Sequence, residues 1–254
     1  MTLSASAPVA RVWYLVPAAG VGSRMQADRP KQYLELAPDC CVLEATLATL
    51  QRALPEAGLC LVLGADDDYF LPSMVPWQDW LRADGGSERA DSVLSGLECL
   101  SEVASEDDLV LVHDVARPCV REEDIRALVA AARETRDGAI LAAPASDTMK
   151  RAVASTVVES PHISHTESRE NLWHALTPQA FSLGVLRTAL RDALSTNPSF
   201  ITDEASALEA CGRSPLLVAG ARDNLKITHP EDLAMARLLL AAREALANSS
   251  RTPA

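Results

Sequence analysis

From residue 12 onward, short apolar runs alternate with stretches whose apolar side chains recur every third or fourth position. Val12 to Val16 reads as a buried strand leaving into a loop at Pro17-Ala18-Ala19-Gly20. Leu43, Leu47 and Leu50 share one face of a helix predicted over 42–54. Leu59 to Leu63 reads as a second strand, followed by a helix over 89–100 with Val93, Leu94, Leu97 and Leu100 on one side. Leu109 to His113 is a third strand, Glu122 to Arg133 a helix and Ala139 to Ala143 a fourth strand. Strands alternating with helices predict an α/β fold with a mainly parallel sheet flanked by helices. In such sheets ligands bind at the carboxyl ends of the strands.

From about Arg151 to His174 the pattern changes to a Thr-, Ser- and Val-rich segment. It reads as two extended runs joined near Ser160-Pro161, a β-arm that projects from the subunit. Helical patterns return at 184–194, 203–211 and 230–246, and residues 216–228 predict two more short strands around Asn224. The organisation expected is an N-terminal extension (1–10), one domain (11–247) including the arm (151–174), and a C-terminal tail (248–254).

Composition narrows the function. Of 254 residues 48% are hydrophobic and 23% charged, ordinary for a globular chain. The net charge of −12 argues against nucleic-acid or anionic-membrane partners. No apolar run approaches the ~20 residues of a membrane span, and the start does not read as a signal peptide. The six cysteines form no CxxC pair or zinc-like spacing, so they read as reduced thiols in a cytoplasmic protein.

The chemistry-bearing segments begin where the apolar runs stop. In AAGVGSRM, continued by PKQY, Ala18, Ala19, Gly20, Gly22 and Ser23 let backbone N–H groups approach an anion, and Arg24 and Lys31 add positive charge. That combination suits a triphosphate. Met25 replaces the third glycine of a dinucleotide fingerprint, and the GK[ST] ending of a P-loop is missing. In DGGSERADSV, Gly86, Ser87 and Ser92 offer a close backbone approach and hydroxyls, although a helix cap explains the same residues. In HDVARP, Asp114 ends a strand, well placed for Mg²⁺, and an Asp114–Arg117 ion pair is the plainer alternative. His113 and His174 read as structural. PASDTMKRA, WHALTPQAF and DNLKIT contribute Thr148, Thr177, Asp223 and Lys226, while ITDEASALE reads as a capped helix start. The chain's three lysines, Lys31, Lys150 and Lys226, all fall inside these motifs, as expected where a compact point charge is required.

Seven segments in this order, VPAAGVGSRMQADRPKQY, GGSERADSV, LVHDVARPCV, APASDTMKRA, LWHALTPQAF, ITDEASALE and DNLKITHPEDL, resemble the 2-C-methyl-D-erythritol 4-phosphate cytidylyltransferase family over about residues 12–240. The resemblance implies a Rossmann-like nucleotidyltransferase fold and a homodimer built by the arm. It implies CMP transfer from CTP to 2-C-methyl-D-erythritol 4-phosphate, with Mg²⁺. By the same resemblance Ala18 through Arg24 would wrap the CTP phosphates, and Arg24, Lys31 and Lys226 would be catalytic. Gly86, Ser87 and Ser92 would line the cytosine and ribose region, and Asp114 and Asp223 would lie near Mg²⁺. Asp114, Arg117, Thr148, Arg169 and Thr177 would hold the sugar phosphate. Ser87 stands where the family has an acidic residue and Val115 where it has alanine; tryptophans in PSMVPWQDWLRADGG replace a plainer strand approach. A ribitol 5-phosphate cytidylyltransferase remains an alternative, a dinucleotide-binding oxidoreductase a more distant one.

Overall fold

A computed structural model describes residues 10–20, 22–25, 27–153 and 161–249. The expected extension, except Ala10, and the chain after Ser249 lie outside the described residues. The elements are, in chain order, β1 (Val12–Pro17), β2 (Glu35–Ala37), β3 (Cys40–Cys41), α1 (Val42–Ala53), β4 (Gly58–Leu63), β5 (Leu81–Asp84), α2 (Arg89–Ser101), β6 (Leu109–Val112), α3 (Glu122–Arg133), β7 (Ala139–Pro144), β8 (Met149–Ala152), β9 (Ile163–Glu167), β10 (Trp173–Ser182), α4 (Leu183–Thr196), α5 (Glu204–Ala210), β11 (Leu216–Ala219) and α6 (Pro230–Ser249).

Seven strands form one sheet in the order β11-β7-β10-β6-β1-β4-β5. β1 lies parallel to β4 and β6, β4 to β5, and β7 to β11, whereas β10 runs antiparallel to β6 and β7. Tyr14, Leu15 and Val16 in β1 are fully buried because helices cover both faces of the sheet. Successive side chains separate the faces. Tyr14 and Val16 join Leu47 of α1 and Leu128 of α3 on one side; Leu15 joins Val93 and Leu97 of α2 and Leu186 of α4 on the other. In α1, Leu43, Leu47 and Leu50 are all buried, and Glu44 accepts from the Cys41 amide at 2.8 Å at its start.

Three sequence expectations change. The expected second run of the arm stops short of Trp173, which starts a ten-residue strand, β10, in the middle of the sheet. Thr177, Pro178 and Gln179 mask that strand in the sequence. In the structure they sit at an irregularity between Ala175 and Gln179, after which Phe181 and Ala180 return to the core. Residues 216–228 supply one strand, not two. Beyond β11 no further strand pairing forms among the described residues: Ile227 N donates to Ala116 O at 2.8 Å, and buried Asn224 donates its side-chain Nδ2 to Thr177 O of β10 at 2.8 Å. The last helix continues to Ser249, so residues 248–249 of the expected tail are helical.

The arm is present as β8 paired antiparallel with β9, Lys150 opposite Thr166 and Arg151 opposite His165. Its junction at Ser160, with Val157 and Val158, lies outside the described residues. Trp77 and Trp80 pack against the sheet on the α1 side. Trp77 donates Nε1 to Ala57 O at 2.8 Å and meets Tyr14 edge-on at 6.2 Å.

Candidate active site

Because β1, β4, β5 and β6 are parallel, their carboxyl ends point the same way and their following loops meet. Gly85 N donates to Leu63 O at 2.7 Å, and Ala18 N to Val62 O at 2.8 Å. A Cβ on Gly85 would stand 2.2 Å from Ala19 Cβ, so contact between these two loops requires glycine there. Gly22 has φ +64°, the left-handed region that favours glycine, and lies over the Lys31 stem. Gln32, almost fully buried, donates Nε2 to Ala18 O at 2.7 Å and pins the loop from inside.

The cleft between these loops has a volume of about 480 Å³. Ala18, Ala19, Gly20, Gly22, Arg24 and Lys31 line one wall and Gly86, Ser87 and Ser92 another. Asp114, Val115 and Lys226 complete it. Nothing is described of the Ser23 side chain. Sequence reasoning missed Gln32, Glu88 and Arg89, which also line the cleft. Arg89 stands immediately before the apolar helix face of GGSERADSV, and its place in that motif was the available signal.

Charge is concentrated around Asp114, at the tip of β6. Its carboxylate lies 2.9 Å from Arg89 Nε, 2.9 Å from Lys226 Nζ and 3.5 Å from Arg117 Nε. Burial pushes the Asp114 pKa up, but Arg89, Lys226 and Arg117 outweigh it and hold the carboxyl well below the usual carboxylate range. Lys31 donates Nζ to Ile227 O at 3.0 Å, tying the first loop to the segment that carries Lys226. Burial lowers the Lys31 pKa and Lys226 adds to that effect, while Asp114 opposes it. Buried Arg117 also donates Nη1 to Asn224 O at 2.7 Å, and its Nε has no hydrogen-bond acceptor among the described residues.

The plainer alternatives hold alongside the site. Ser87 Oγ donates to Asp91 Oδ2 at 2.6 Å, and Ser92 Oγ accepts from Gly86 N at 3.0 Å, so the helix start and the cleft wall share residues. His113 is fully buried, with Nε2 3.2 Å from Arg117 O and Nδ1 3.1 Å from Thr177 Oγ1. A carbonyl can only accept, so Nε2 carries the proton. Burial pulls the His113 pKa down to about 4, and the imidazole is neutral and structural. Asp203 caps α5, accepting from Ser206 N at 2.9 Å.

Five expected site residues are not on the cleft wall. Asp223, expected near the metal, pairs with Arg121 at 2.8 Å and Arg243 at 2.9 Å. Two guanidiniums satisfy its carboxylate there, and their bonds outweigh burial to lower its pKa. Thr177 is buried, and its hydroxyl accepts from Asp114 N at 3.1 Å beside His113, so it holds the strand tip from behind. Arg117 is tied to Thr177 through Asn224, whose carbonyl accepts from Arg117 Nη1 and whose side chain donates to Thr177 O. Thr148 and Arg169 are exposed at the foot of the arm, where Arg169 donates to Ser146 O. Of the three lysines, Lys31 and Lys226 reach the cleft, while Lys150 bonds Thr166 across the arm at 2.7 Å.

Among the described residues no three carboxylate, histidine or cysteine side chains cluster as a metal site. Asp114 and Glu88 are the carboxylates on the cleft wall; at Asp114 a hard cation would share oxygens now paired with Arg89 and Lys226 and take its remaining ligands from phosphates and water, as Mg²⁺ does.

The model of the IspD, 2-C-methyl-D-erythritol 4-phosphate cytidylyltransferase, family matches residues 12–242. A protein of that name from Chromohalobacter salexigens is 55% identical over 233 residues, covering 92% of this chain and 91% of its own. One from Vibrio atlanticus is 51% identical over 228 residues, covering 89% and 94%. Among solved structures, a 4-diphosphocytidyl-2C-methyl-D-erythritol synthase aligns with TM-score 0.78 at 37% identity, covering 92% of this chain and 100% of its own. A Francisella tularensis 2-C-methyl-D-erythritol 4-phosphate cytidylyltransferase aligns with TM-score 0.76 at 31% identity, covering 91% and 100%.

Proposed function

The chain belongs to the 2-C-methyl-D-erythritol 4-phosphate cytidylyltransferase family, and from that premise we propose how its cleft carries out the family's reaction. The enzyme is a nucleotidyltransferase of isoprenoid precursor biosynthesis. It transfers CMP from CTP to 2-C-methyl-D-erythritol 4-phosphate, releasing pyrophosphate and 4-diphosphocytidyl-2-C-methyl-D-erythritol.

The observation that carries the mechanism is the meeting of Arg24, Lys31 and Lys226, from opposite ends of the chain, in one glycine-walled cleft. A phosphate oxygen of the sugar attacks the α-phosphorus of CTP in line, and the bond to pyrophosphate breaks. Both reactants are anions and the attacking oxygen is already ionised, so no general base is required. Positioning and charge stabilisation carry the rate. The backbone of Ala18, Ala19, Gly20, Gly22 and Ser23 cradles the triphosphate, and Arg24, Lys31 and Lys226 offset charge developing around the α-phosphorus. Gly86, Ser87 and Ser92 face the nucleoside. Asp114 would hold Mg²⁺, which supplies neutralisation of phosphate charge, and Asp223 would join it by exchanging a contact with Arg121 or Arg243.

The sugar phosphate falls to Arg117, which flanks Asp114, and to Thr148 and Arg169, with Thr177 orienting Asp114. A β8–β9 hairpin alone is marginal in water, and it exposes Val153 and Ile163. Two-fold pairing with a second copy would cover them and carry Arg169 to the neighbouring cleft. The six cysteines are all free, in keeping with a cytoplasmic enzyme, and among the described residues no helix is long and apolar enough to cross a membrane.

A pyrophosphate-release assay tests the reading. Release is expected only with CTP, 2-C-methyl-D-erythritol 4-phosphate and Mg²⁺ together. Equal turnover with ATP, with ribitol 5-phosphate, or in excess chelator would overturn it.

A further inference from the structure

Glu204 stands where a carboxylate is costly, 2% exposed in the first turn of α5. It is turned onto Arg89, with Nη1 at 2.6 Å from Oε1 and Nη2 at 3.1 Å from Oε2. The same guanidinium gives its Nε to Asp114 Oδ1 at 2.9 Å. One arginine thus spans a carboxylate outside the cleft and the carboxylate at its centre. Glu204 is itself fixed from the sheet: buried Gln179 of β10 accepts from Ala205 N at 2.9 Å and donates to Asp203 Oδ2 at 2.8 Å.

Stability alone is a poor account of this arrangement. Buried ion pairs can often be replaced by apolar side chains at no cost. Their use is orientation, because a fork held at two nitrogens leaves the third with one direction. Without Glu204 the guanidinium could fold onto Asp114 or swing toward the triphosphate. Either motion changes the charge and position that Asp114 presents to Lys226, 2.9 Å away.

We infer that Glu204 is a positioning residue for cytidylyl transfer: by gripping two nitrogens of Arg89 it aims the third at Asp114 and so sets the carboxylate against which Lys226 is aligned. The inference rests on the reading of the cleft as the transfer site. Glu204 touches no substrate in this role and acts through Arg89.

The test is steady-state kinetics of Glu204→Gln, which keeps the volume and removes the charge. The expected result is kcat lowered about 10- to 100-fold per folded molecule, with KM for CTP and for the sugar phosphate within about threefold of wild type. In an Arg89→Met background the same substitution is expected to cost less than about twofold more, because its route to Asp114 is already gone. Unchanged kcat per folded molecule, or losses that multiply across the two sites, would overturn the inference. Should the single variant fail to fold, the charge-free Arg89→Met/Glu204→Met protein decides: a folded enzyme with kcat reduced to the same degree is expected, and wild-type kcat refutes the role. Wild-type protein that releases no pyrophosphate from CTP and sugar phosphate would sink the transfer reading instead, whereas active wild type beside unaffected variants defeats only this inference.

Discussion

Lys226 Nζ lies 2.9 Å from Asp114 Oδ2, so the cation from the last loop is seated on the acid at the tip of β6. Asp114 also anchors Arg89 and Arg117. Asp114→Asn should leave these cations facing one another without their shared anion. We expect a loss of about 3–5 kcal/mol in urea unfolding at neutral pH and a fall in kcat of at least about 10²-fold. The folded pKa of Asp114 is depressed, so its stabilising contribution is present above its unfolded value of ~3.9 and fades as pH falls below it. The variant should therefore lose less further stability below that pH than wild type; equal acid sensitivity would show that the pairing contributes little.

Lys31 is expected to act on the transition state. Lys31→Ala should lower kcat about 10²- to 10³-fold while raising KM for CTP far less. Near-normal kcat would reduce Lys31 to a loop anchor through Ile227. Its folded pKa is lowered, so the protonated form is lost at a pH below the ~10.4 of an ordinary lysine. The alkaline limb of kcat/KM should begin correspondingly early, and Lys31→Arg should move it upward.

His113 gives a separate acid effect. Its pKa is about 4 in the folded protein and ~6.5 unfolded, so the unfolded chain binds the extra proton. Stability should fall as pH drops from about 7 to 5, by about 2 kcal/mol from this residue. Comparing urea unfolding of wild type and His113→Gln at the two pH values checks the sign and size: the variant's difference should be smaller by that amount.

Thr177 has one hydroxyl for two buried partners. Thr177→Val should leave the Asp114 N–H without its acceptor and cost about 1–3 kcal/mol, with kcat falling as the strand tip loosens. Thr177→Ser keeps the oxygen and should retain most of both. If serine and valine behave alike in urea unfolding and in turnover, the hydroxyl is not what holds Asp114.

The placement of Arg169 is tested by mixing subunits. Arg169→Ala and Lys31→Ala proteins, each inactive, should regain activity once their subunits exchange, since one cleft of each mixed dimer then carries both defects and the other neither. Demonstrated heterodimers without recovery would place Arg169 in its own subunit or in no site.

The elements legible in the sequence are those whose order came from local pattern. Helix α3 falls on the expected boundaries, and the strands at Val12 and Leu59 extend by a single residue, because buried parallel strands and one-faced helices write their periods directly into the chain. β10 was hidden because Thr177, Pro178 and Gln179 look like a loop, and only neighbours β6 and β7 on both sides make such a segment a central strand. The strand expected beyond Asn224 failed for the converse reason: Ile227 N donates to the carbonyl of Ala116 and Thr228 N to the Asp232 side chain of α6, so its backbone groups are taken outside any strand ladder.

The chain by itself determined the fold class, the glycine-rich loop and the presence of Arg24, Lys31, Asp114 and Lys226 at loop positions, since residue type and order are local properties. Only the tertiary structure decided which charges share a site. It sent Asp223 to Arg121 and Arg243, set Lys226 on Asp114, and drew Glu204 out of an ordinary helix cap onto Arg89. Coulomb energy depends on distance and burial, and neither is a property of any stretch of sequence until the sheet brings its strand ends together.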